Sequence, residues 1–335
     1  MKRQGMAELA QAAHVSLATV DRALNGRERL RPETLAHIVA VAQSIGHPAA
    51  ARFAGGGGGG SGLRRFGVVL HKQGQEFYKA FADELRRAAE GQGALVLEFS
   101  ASQSPSDMAG TLRSMVGRCD VLAATAVNHA EITAAVEDLR VAGIAVHALL
   151  SEFAPGVRAG YLGLDNLKVG RIAGWVMQKS AVRPGCVAIF VGGTRWHGHD
   201  LRDQGFRTYL RDHAPHLTVL DTLINLETRQ MTYEAVMTLL ATRPDLRGIY
   251  VAGGGMEGAI AALRDAGSQV ALVVSALTPE SRRGLKGGQV AMVIDTPLEK
   301  LCRELVRRMA TAPLNPMLTA PPQFLQPDLH IRESL

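Results

Sequence analysis

The sequence has few cysteines and no long hydrophobic run. Its 335 residues include three cysteines, Cys119, Cys186 and Cys302, which lie far apart. An odd and scattered set of cysteines disfavours both a disulfide framework and a clustered-cysteine metal site. No stretch approaches the ~18 uncharged apolar residues that would span a bilayer, so we expect no membrane partner.

The first residues also lack the apolar segment of a secretory signal. They read MKRQGMAELAQAAH, which contains basic residues but no hydrophobic run. This absence predicts a cytoplasmic protein and argues against a secreted solute-binding protein. Hydrophobic residues make up 47% of the chain and charged residues 20%, which predicts an ordered protein with a large core and two or three domains.

Positive charge is concentrated at the N-terminal end. Residues 1–65 carry nine Lys/Arg and four Asp/Glu, a balance of +5 out of the total of +6. A basic head on a nearly neutral body favours a polyanionic partner for the head, and the alternative is a solubilising tail. The head is separated from the body by GGGGGGSG at 55–62, which predicts a flexible linker because none of these residues has a side chain to bury.

The head is predicted to contain three short helices. Ser16, with Thr19 as the alternative, is a suitable N-cap for a second helix from Leu17 to about Leu24. Pro32 fits the first turn of a third helix, which stops at Gly46. Two short helices joined by a tight turn and supported by a third indicate a helix-turn-helix unit, with an ordinary protein-binding module as the alternative. One apolar face defines the first helix through Met6, Leu9, Ala10 and Ala13.

The body alternates short apolar runs with amphipathic stretches of helical length. This alternation is typical of parallel-sheet βαβ units, and nine runs are too many for one comfortable sheet. We therefore predict two doubly wound parallel sheets in two lobes, with a ligand between them beyond the carboxyl ends of the strands. The runs cover 65–70, 94–99, 120–125, 144–150, 187–192, 217–224, 248–253, 270–277 and 291–295.

One segment resembles a known family closely. AELAQAAHVSLATVDRALNGRERLRPETLAHIVAVAQSIGHP, residues 7–48, resembles the N-terminal domain of the LacI family of bacterial transcriptional regulators, and the body resembles the same family. The resemblance implies an all-α helix-turn-helix head joined to an α/β two-lobed, periplasmic-binding-protein-like body. It also implies a transcriptional repressor that binds a pseudo-palindromic double-stranded DNA operator as a homodimer, under the control of a sugar, polyol or related catabolite.

The resemblance assigns roles within the head. It places Leu17, Ala18 and Arg22 at base-reading positions. Relatives continue past the matching Pro48 into a hinge helix with a leucine wedge, whereas here the glycine run disfavours a helix beyond Ala54. Phe53 is therefore the only candidate wedge. The full set of DNA-binding candidates is Ser16, Leu17, Ala18, Thr19, Arg22, Asn25, Arg29 and Phe53.

The predicted domains follow from the same comparison. The DNA-binding domain covers 1–47, the hinge and linker 48–64, and the effector-binding and dimerisation domain 65–335. We expect the chain to cross between the two lobes near 162–166, 293–297 and 318–324.

Four segments of the body resemble ribose-type binding proteins: 161–174, 197–206, 248–263 and 277–297. Arg202 matches a position that in these relatives holds sugar hydroxyls, a role suited to a guanidinium with several fixed donors. Relatives often carry asparagine where this chain has Gly253–Gly255, and an acid where it has Ser275 and Ala276. The effector-binding candidates, many of them at strand ends, are Gln75, Phe77, Tyr78, Glu152, His199, Arg202, Gly254, Ser275, Asp295 and Thr296.

A nicotinamide-dependent oxidoreductase is the alternative function. Gly253-x-Gly255-x-x-Gly258 follows a strand and opens a helix, as in the dinucleotide fingerprint, but no acid ends the next strand. His197-x-His199-Asp200 has no third metal ligand nearby in sequence. Because catalytic motifs such as G-x-S-x-G and H-E-x-x-H are also missing, we predict neither an enzyme nor a cofactor or metal site.

Overall fold

The computed structural model describes residues 3–25, 30–47, 49–50, 64–312 and 316–335. The N-terminal part contains three short helices, α1 (Arg3–Ala12), α2 (Leu17–Asn25) and α3 (Pro32–Ser44). They pack on one another through buried Leu9, Val20 and Ile38. The Ser16 hydroxyl accepts a hydrogen bond from the Thr19 N–H at 3.1 Å, which satisfies one of the free donors at the start of α2.

The first lobe is built on a parallel sheet of six strands in the order β12-β5-β4-β3-β1-β2. Its central strands are largely apolar because helices cover both faces, and the two faces carry separate hydrophobic clusters. The strands are β1 (Arg65–Leu70), β2 (Ala94–Phe99), β3 (Val121–Ala124), β4 (Ala145–Leu149), β5 (Gly160–Leu164) and β12 (Gln323–Leu325). The helices are α4 (Glu76–Ala89), α5 (Pro105–Arg113), α6 (Ala130–Val141) and α12 (Leu298–Thr311).

The second lobe contains a sheet of seven strands in the order β13-β11-β10-β9-β6-β7, with β8 paired to β6. All its pairings are parallel except that of β13, which runs antiparallel to β11. The strands are β6 (Gly185–Val191), β7 (Leu217–Val219), β8 (Leu223–Ile224), β9 (Leu246–Val251), β10 (Ala271–Val274), β11 (Met292–Asp295) and β13 (Asp328–His330). The helices are α7 (Asn166–Ser180), α8 (His197–His213), α9 (Arg229–Thr242), α10 (Met256–Asp265) and α11 (Pro279–Lys286).

The two-lobed α/β body agrees with the prediction, although the strands differ in detail. Strands β5, β12 and β13 were not predicted because they are short and carry no long apolar run. The predicted run 217–224 is two strands, β7 and β8. The chain crosses between the sheets after β5, after β11, and between β12 and β13 at 326–327. The third crossing lies beyond the predicted range 318–324 because residues 323–325 still pair with β5.

Some predictions for the N-terminal part lie outside the described residues. These are the linker at 55–62, the hinge segment after Pro48 apart from residues 49–50, Arg29 and Phe53. Of the other DNA-binding candidates, Leu17, Ala18, Thr19 and Arg22 lie on α2, Ser16 precedes it, and Asn25 is its last residue. In the part of the chain that the structure describes, no helix combines the length and the apolar character of a membrane span.

Candidate ligand-binding cavity between the lobes

A cavity of about 600 Å³ lies between the lobes, beyond the carboxyl ends of strands from both sheets. This volume falls within the usual range for small-molecule sites. Aromatic rings and polar groups both line it. The first lobe contributes His71, Lys72, Gly74–Tyr78, Thr125 and Leu149–Ser151, and the remaining lining residues are Asn166, Trp196, Gly198, His199, Arg202, Glu227–Arg229, Gly253–Glu257, Ser275, Ala276, Thr278, Glu280 and Thr296.

Most of the predicted effector-binding residues line this cavity, and two do not. Glu152 forms an ion pair with Arg158 within the first lobe. Asp295 Oδ1 accepts hydrogen bonds from the N–H groups of Leu277 and Thr296. These two carboxylates therefore have partners of their own outside the cavity lining. The predicted residues that line it are Gln75, Phe77, Tyr78, His199, Arg202, Gly254, Ser275 and Thr296.

Arg202 is held in one orientation by contacts of its guanidinium with two neighbouring segments. Its Nε donates to Asn166 Oδ1 at 2.8 Å, and its Nη1 donates to the Ala252 carbonyl oxygen at 2.6 Å. A Cβ on Gly170 would lie 2.0 Å from the Arg202 carbonyl oxygen, so this glycine lets α7 and α8 approach closely. No hydrogen bond to another described residue uses Nη2, and Arg202 lines the cavity, so these two N–H donors remain for a ligand.

One wall of the cavity consists of uncharged rings. The Tyr78 hydroxyl and His71 Nε2 lie 2.7 Å apart, and the His71 and Trp196 ring centroids are 4.8 Å apart. Burial lowers the pKa of His71 to about 3 and that of His199 to about 4, so both imidazoles are neutral at pH 7. Because His199 Nδ1 accepts from the Gly192 N–H, its proton lies on Nε2.

Sequence reasoning missed the most buried charges of the cavity. The Lys72 Nζ lies 2.6 Å from Glu227 Oε2, and the two side chains are 15% and 10% exposed. Burial would raise the pKa of Glu227, but its attraction to His199, Lys72 and His71 lowers it to about 2. The signal that could have found Glu227 was its position: it follows the apolar run 217–224, as Gln75 follows β1.

The glycine turn that opens α10 contacts protein side chains. Gly255 has φ +86°, and a Cβ there would lie 2.5 Å from Thr232 Oγ1 and 2.9 Å from Asn225 Nδ2. Asn225 Nδ2 also donates to the Gly254 carbonyl oxygen at 2.9 Å. The glycines are thus explained by close packing and not by a dinucleotide. Within the described residues, no group of three or more His, Cys, Asp or Glu could hold a metal ion.

The body shares its fold with solved sugar-binding proteins. An ABC transporter solute-binding protein from Agrobacterium vitis, bound to α-D-tagatopyranose, matches with a TM-score of 0.74 and 18% identity, covering 81% of this chain and 95% of that chain. GanP, a glucose-galactose binding protein from Geobacillus stearothermophilus, matches with a TM-score of 0.74 and 18% identity, and the match covers 82% of this chain and 99% of that chain. A solute-binding protein from Burkholderia graminis, in complex with D-arabinose, matches with a TM-score of 0.75 and 18% identity, and the match covers 82% of this chain and 98% of that chain. No curated protein matches the sequence.

These comparisons correct the function predicted from the sequence. The similar structures are solute-binding proteins with bound sugars, whereas the sequence predicted a DNA-binding transcriptional repressor. The predicted repressor function and the operator bound by a homodimer are therefore wrong, and so is the argument against a solute-binding protein. That prediction depended on a local pattern in residues 7–48 and on the basic charge of the head. Neither feature says what the lobes of the body bind.

A family model described as a periplasmic binding protein domain matches residues 66–312, most of the chain. The match supports the predicted periplasmic-binding-protein-like body, and it gives no support for the LacI family or for the helix-turn-helix head. It also gives no support for the predicted cytoplasmic location. The prediction that the chain is not an enzyme is confirmed, because this is a family of ligand binders. The chain belongs to the periplasmic binding protein domain family.

Proposed function

We propose that the chain binds a monosaccharide, or a similarly polyhydroxylated molecule, in the cavity between its lobes. The observation that carries this proposal is the fixed guanidinium of Arg202 in the cavity wall, with two N–H donors unused by the described residues. A guanidinium in a fixed orientation can donate two hydrogen bonds to neighbouring hydroxyl oxygens. The sugars bound by the solved proteins of the same fold support the proposal.

The aromatic residues of the cavity suit the apolar face of a sugar ring. Phe77 lines the cavity and packs against the hydrophobic clusters of both lobes, so its position depends on how the lobes meet. Trp196 lines the cavity from the second lobe. Pockets that combine apolar walls with a few placed polar groups are typical of small-molecule sites. Hydroxyl groups of Ser151, Ser275 and Thr278 provide further polar partners along the lining.

A melting experiment with the full chain tests the proposal. The midpoint is measured with and without an excess of D-tagatose, D-galactose, D-glucose, D-allose or D-arabinose, and any stabilising sugar is then titrated by calorimetry. We expect one or more sugars to raise the midpoint, because a ligand that binds only the folded state stabilises it. Trimethylamine N-oxide, an osmolyte without hydroxyl groups, controls at equal concentration for non-specific stabilisation by a cosolute. If no sugar raises the midpoint more than its control, the proposal is wrong.

We also propose that residues 1–47, 48–64 and 65–335 are a folded head, a joining segment and the ligand-binding body. The helices α1–α3 have a hydrophobic cluster of their own, and the family match begins at residue 66. Brief digestion with trypsin, followed by mass spectrometry, should leave a resistant fragment that starts after Arg52, Arg64 or Arg65. A fragment that starts beyond residue 66 would contradict this division.

A further inference from the structure

The carboxylate of Glu227 is held by groups from both lobes. From the first lobe, Lys72 Nζ lies 2.6 Å from Oε2, and Gln103 Nε2 donates weakly to the same oxygen at 3.5 Å. From the second lobe, the Gly254 N–H donates to Oε1 at 3.1 Å, and His199 Nε2 lies 3.6 Å from Oε1. The carboxylate thus accepts hydrogen bonds from an ammonium, a backbone N–H and, weakly, a side-chain amide, and the neutral His199 imidazole lies just beyond hydrogen-bond distance.

The backbone on both sides of this ion pair adopts an unusual conformation. Lys72, Leu226 and Glu227 have φ values of +52°, +48° and +55°, in a region that residues other than glycine rarely adopt. Such conformations persist only where surrounding contacts impose them, and they cluster at ligand sites. Here Lys72 Nζ also donates to the Leu226 carbonyl oxygen, and Gln75 Nε2 donates to that of Glu227, both at 3.0 Å. The first lobe thus donates hydrogen bonds to two backbone carbonyl oxygens of this loop as well as to the carboxylate.

Three glycines of the second lobe make room for this carboxylate. A Cβ on Gly253 would lie 2.8 Å from Glu227 Oε1, and a Cβ on Gly254 would lie 2.9 Å from Glu227 Cβ. On Gly192 it would lie 2.5 Å from Glu227 Cγ. Any side chain at these positions would displace the carboxylate from its partners. Glu227 therefore accounts for Gly253, the first glycine of the turn that resembles a nucleotide-binding motif.

The balance of charge in the site depends on both lobes. Glu227 stays ionised at neutral pH, Lys72 is its cationic partner, and the two imidazoles are neutral. A buried charge without its partner is strongly destabilising. Lys72 and Glu227 therefore each require the other where the two lobes meet. Glu227 therefore occupies the place that an anionic group of a ligand would take.

We propose that Lys72, the Gly254 N–H, His199 and Gln103 form a carboxylate-binding subsite, which the chain fills with its own Glu227. The carboxylate of Glu227 repels sugar acids and sugar phosphates. The rest of the cavity therefore binds a neutral ligand. The choice between neutral and anionic sugars rests on the proposed function, whereas the subsite itself does not.

The test uses the Glu227→Ala variant of the full chain with acetate as the probe. This substitution leaves an empty carboxylate position beside Lys72, so the melting midpoint should fall. Replacing sodium chloride by sodium acetate at equal ionic strength and pH 7 should restore about half or more of the loss, in a saturable manner. Wild type should not respond, and neither should Glu227→Gln, in which an amide fills the space. Glu234→Ala, which removes an exposed carboxylate from α9, is the matched control.

A folded Glu227→Ala variant that responds to acetate no more than wild type overturns the proposal. If this variant does not fold in chloride, recovery of a cooperative transition in acetate is measured instead, and failure to recover has the same meaning. The double variant Lys72→Met/Glu227→Ala should melt above Glu227→Ala and lose the acetate response, because the unpaired cation is gone. A double variant that still responds to acetate would also overturn the subsite.

A second comparison tests the class of sugar. In Glu227→Ala, the affinity for D-galacturonate relative to D-galactose should increase by about tenfold or more, because the Lys72 ammonium becomes available to the ligand carboxylate. An unchanged ratio overturns the inferred rejection of anionic sugars. If wild type binds no sugar at all, the proposed function fails, and the acetate measurement still decides whether the subsite exists.

Discussion

Replacing Arg202 by alanine should weaken sugar binding and also destabilise the ligand-free protein. In the structure its guanidinium donates to Asn166 Oδ1 at 2.8 Å and to the Ala252 carbonyl oxygen at 2.6 Å. The substitution leaves both acceptors without this donor, and unsatisfied buried groups of this kind cost about 1–3 kcal/mol each. We expect the free energy of unfolding to fall by about 1–3 kcal/mol for each of the two acceptors.

The loss of affinity follows from the donors that face the cavity. A hydrogen bond to a charged group contributes roughly 1.5–3 kcal/mol, so losing one of them weakens binding by about tenfold or more. Arg202→Lys should rescue poorly, because an ammonium cannot replace the planar fork that bridges Asn166, Ala252 and the ligand. Arg211→Ala is the matched control: it lies on the same helix, its side chain is 73% exposed, and it pairs only with neighbouring Asp212.

The assay is calorimetric titration of the stabilising sugar into wild type and the three variants, with urea unfolding of each ligand-free protein. The unfolding data separate a direct loss of contacts from a general loss of structure. Equal dissociation constants for wild type, Arg202→Ala and Arg202→Lys would remove Arg202 from the site and refute the reasoning. A comparable loss in Arg211→Ala would show that the effect is not specific to the cavity.

Three further predictions concern packing, pH and the thiols. Gly253→Ala should lower both the free energy of unfolding, measured in urea, and the sugar affinity, measured by calorimetry, because its Cβ would meet Glu227 Oε1 at 2.8 Å. Gly110→Ala is the control: this glycine has open space around it in α5, so the substitution should be neutral or stabilising. The pKa values of His71 and His199 are lowered from 6.5 to about 3 and about 4, so the unfolded chain binds more protons below pH 6.5 and stability should fall between pH 6.5 and 4. The contribution of Glu227 is lost mainly below about pH 5, where its carboxyl in the unfolded chain takes up a proton. A His71→Phe variant that loses as much stability as wild type between pH 7 and pH 5 would therefore contradict the assignment. The three buried cysteines should react with a thiol reagent in urea but not in the native protein, and rapid native labelling would refute this.

The sequence by itself determined the architecture of the body and much of the cavity lining. Strands such as β1 are apolar throughout because helices cover both faces of a parallel sheet, so the alternation of runs predicts the layers. The carboxyl ends of such strands converge on a cleft, and Gln75, Phe77 and Tyr78 were found by this rule, whereas Arg202 came from the resemblance to ribose-type binding proteins. The same rule placed Glu152 and Asp295 in the site, and it failed there because local partners hold both carboxylates.

Only the tertiary structure and the comparisons decided what the sequence left open. Lys72 and Glu227 are 155 positions apart and lie in different lobes, so their pairing depends on how the lobes meet and not on any local pattern. Gly253 and Gly255 matched a nucleotide motif in sequence, and the packing of Gly253 against Glu227 and of Gly255 against Thr232 is visible only in three dimensions. The predicted repressor function came from a short helical pattern, whereas the family match covers the lobes, whose fold determines where a ligand is enclosed.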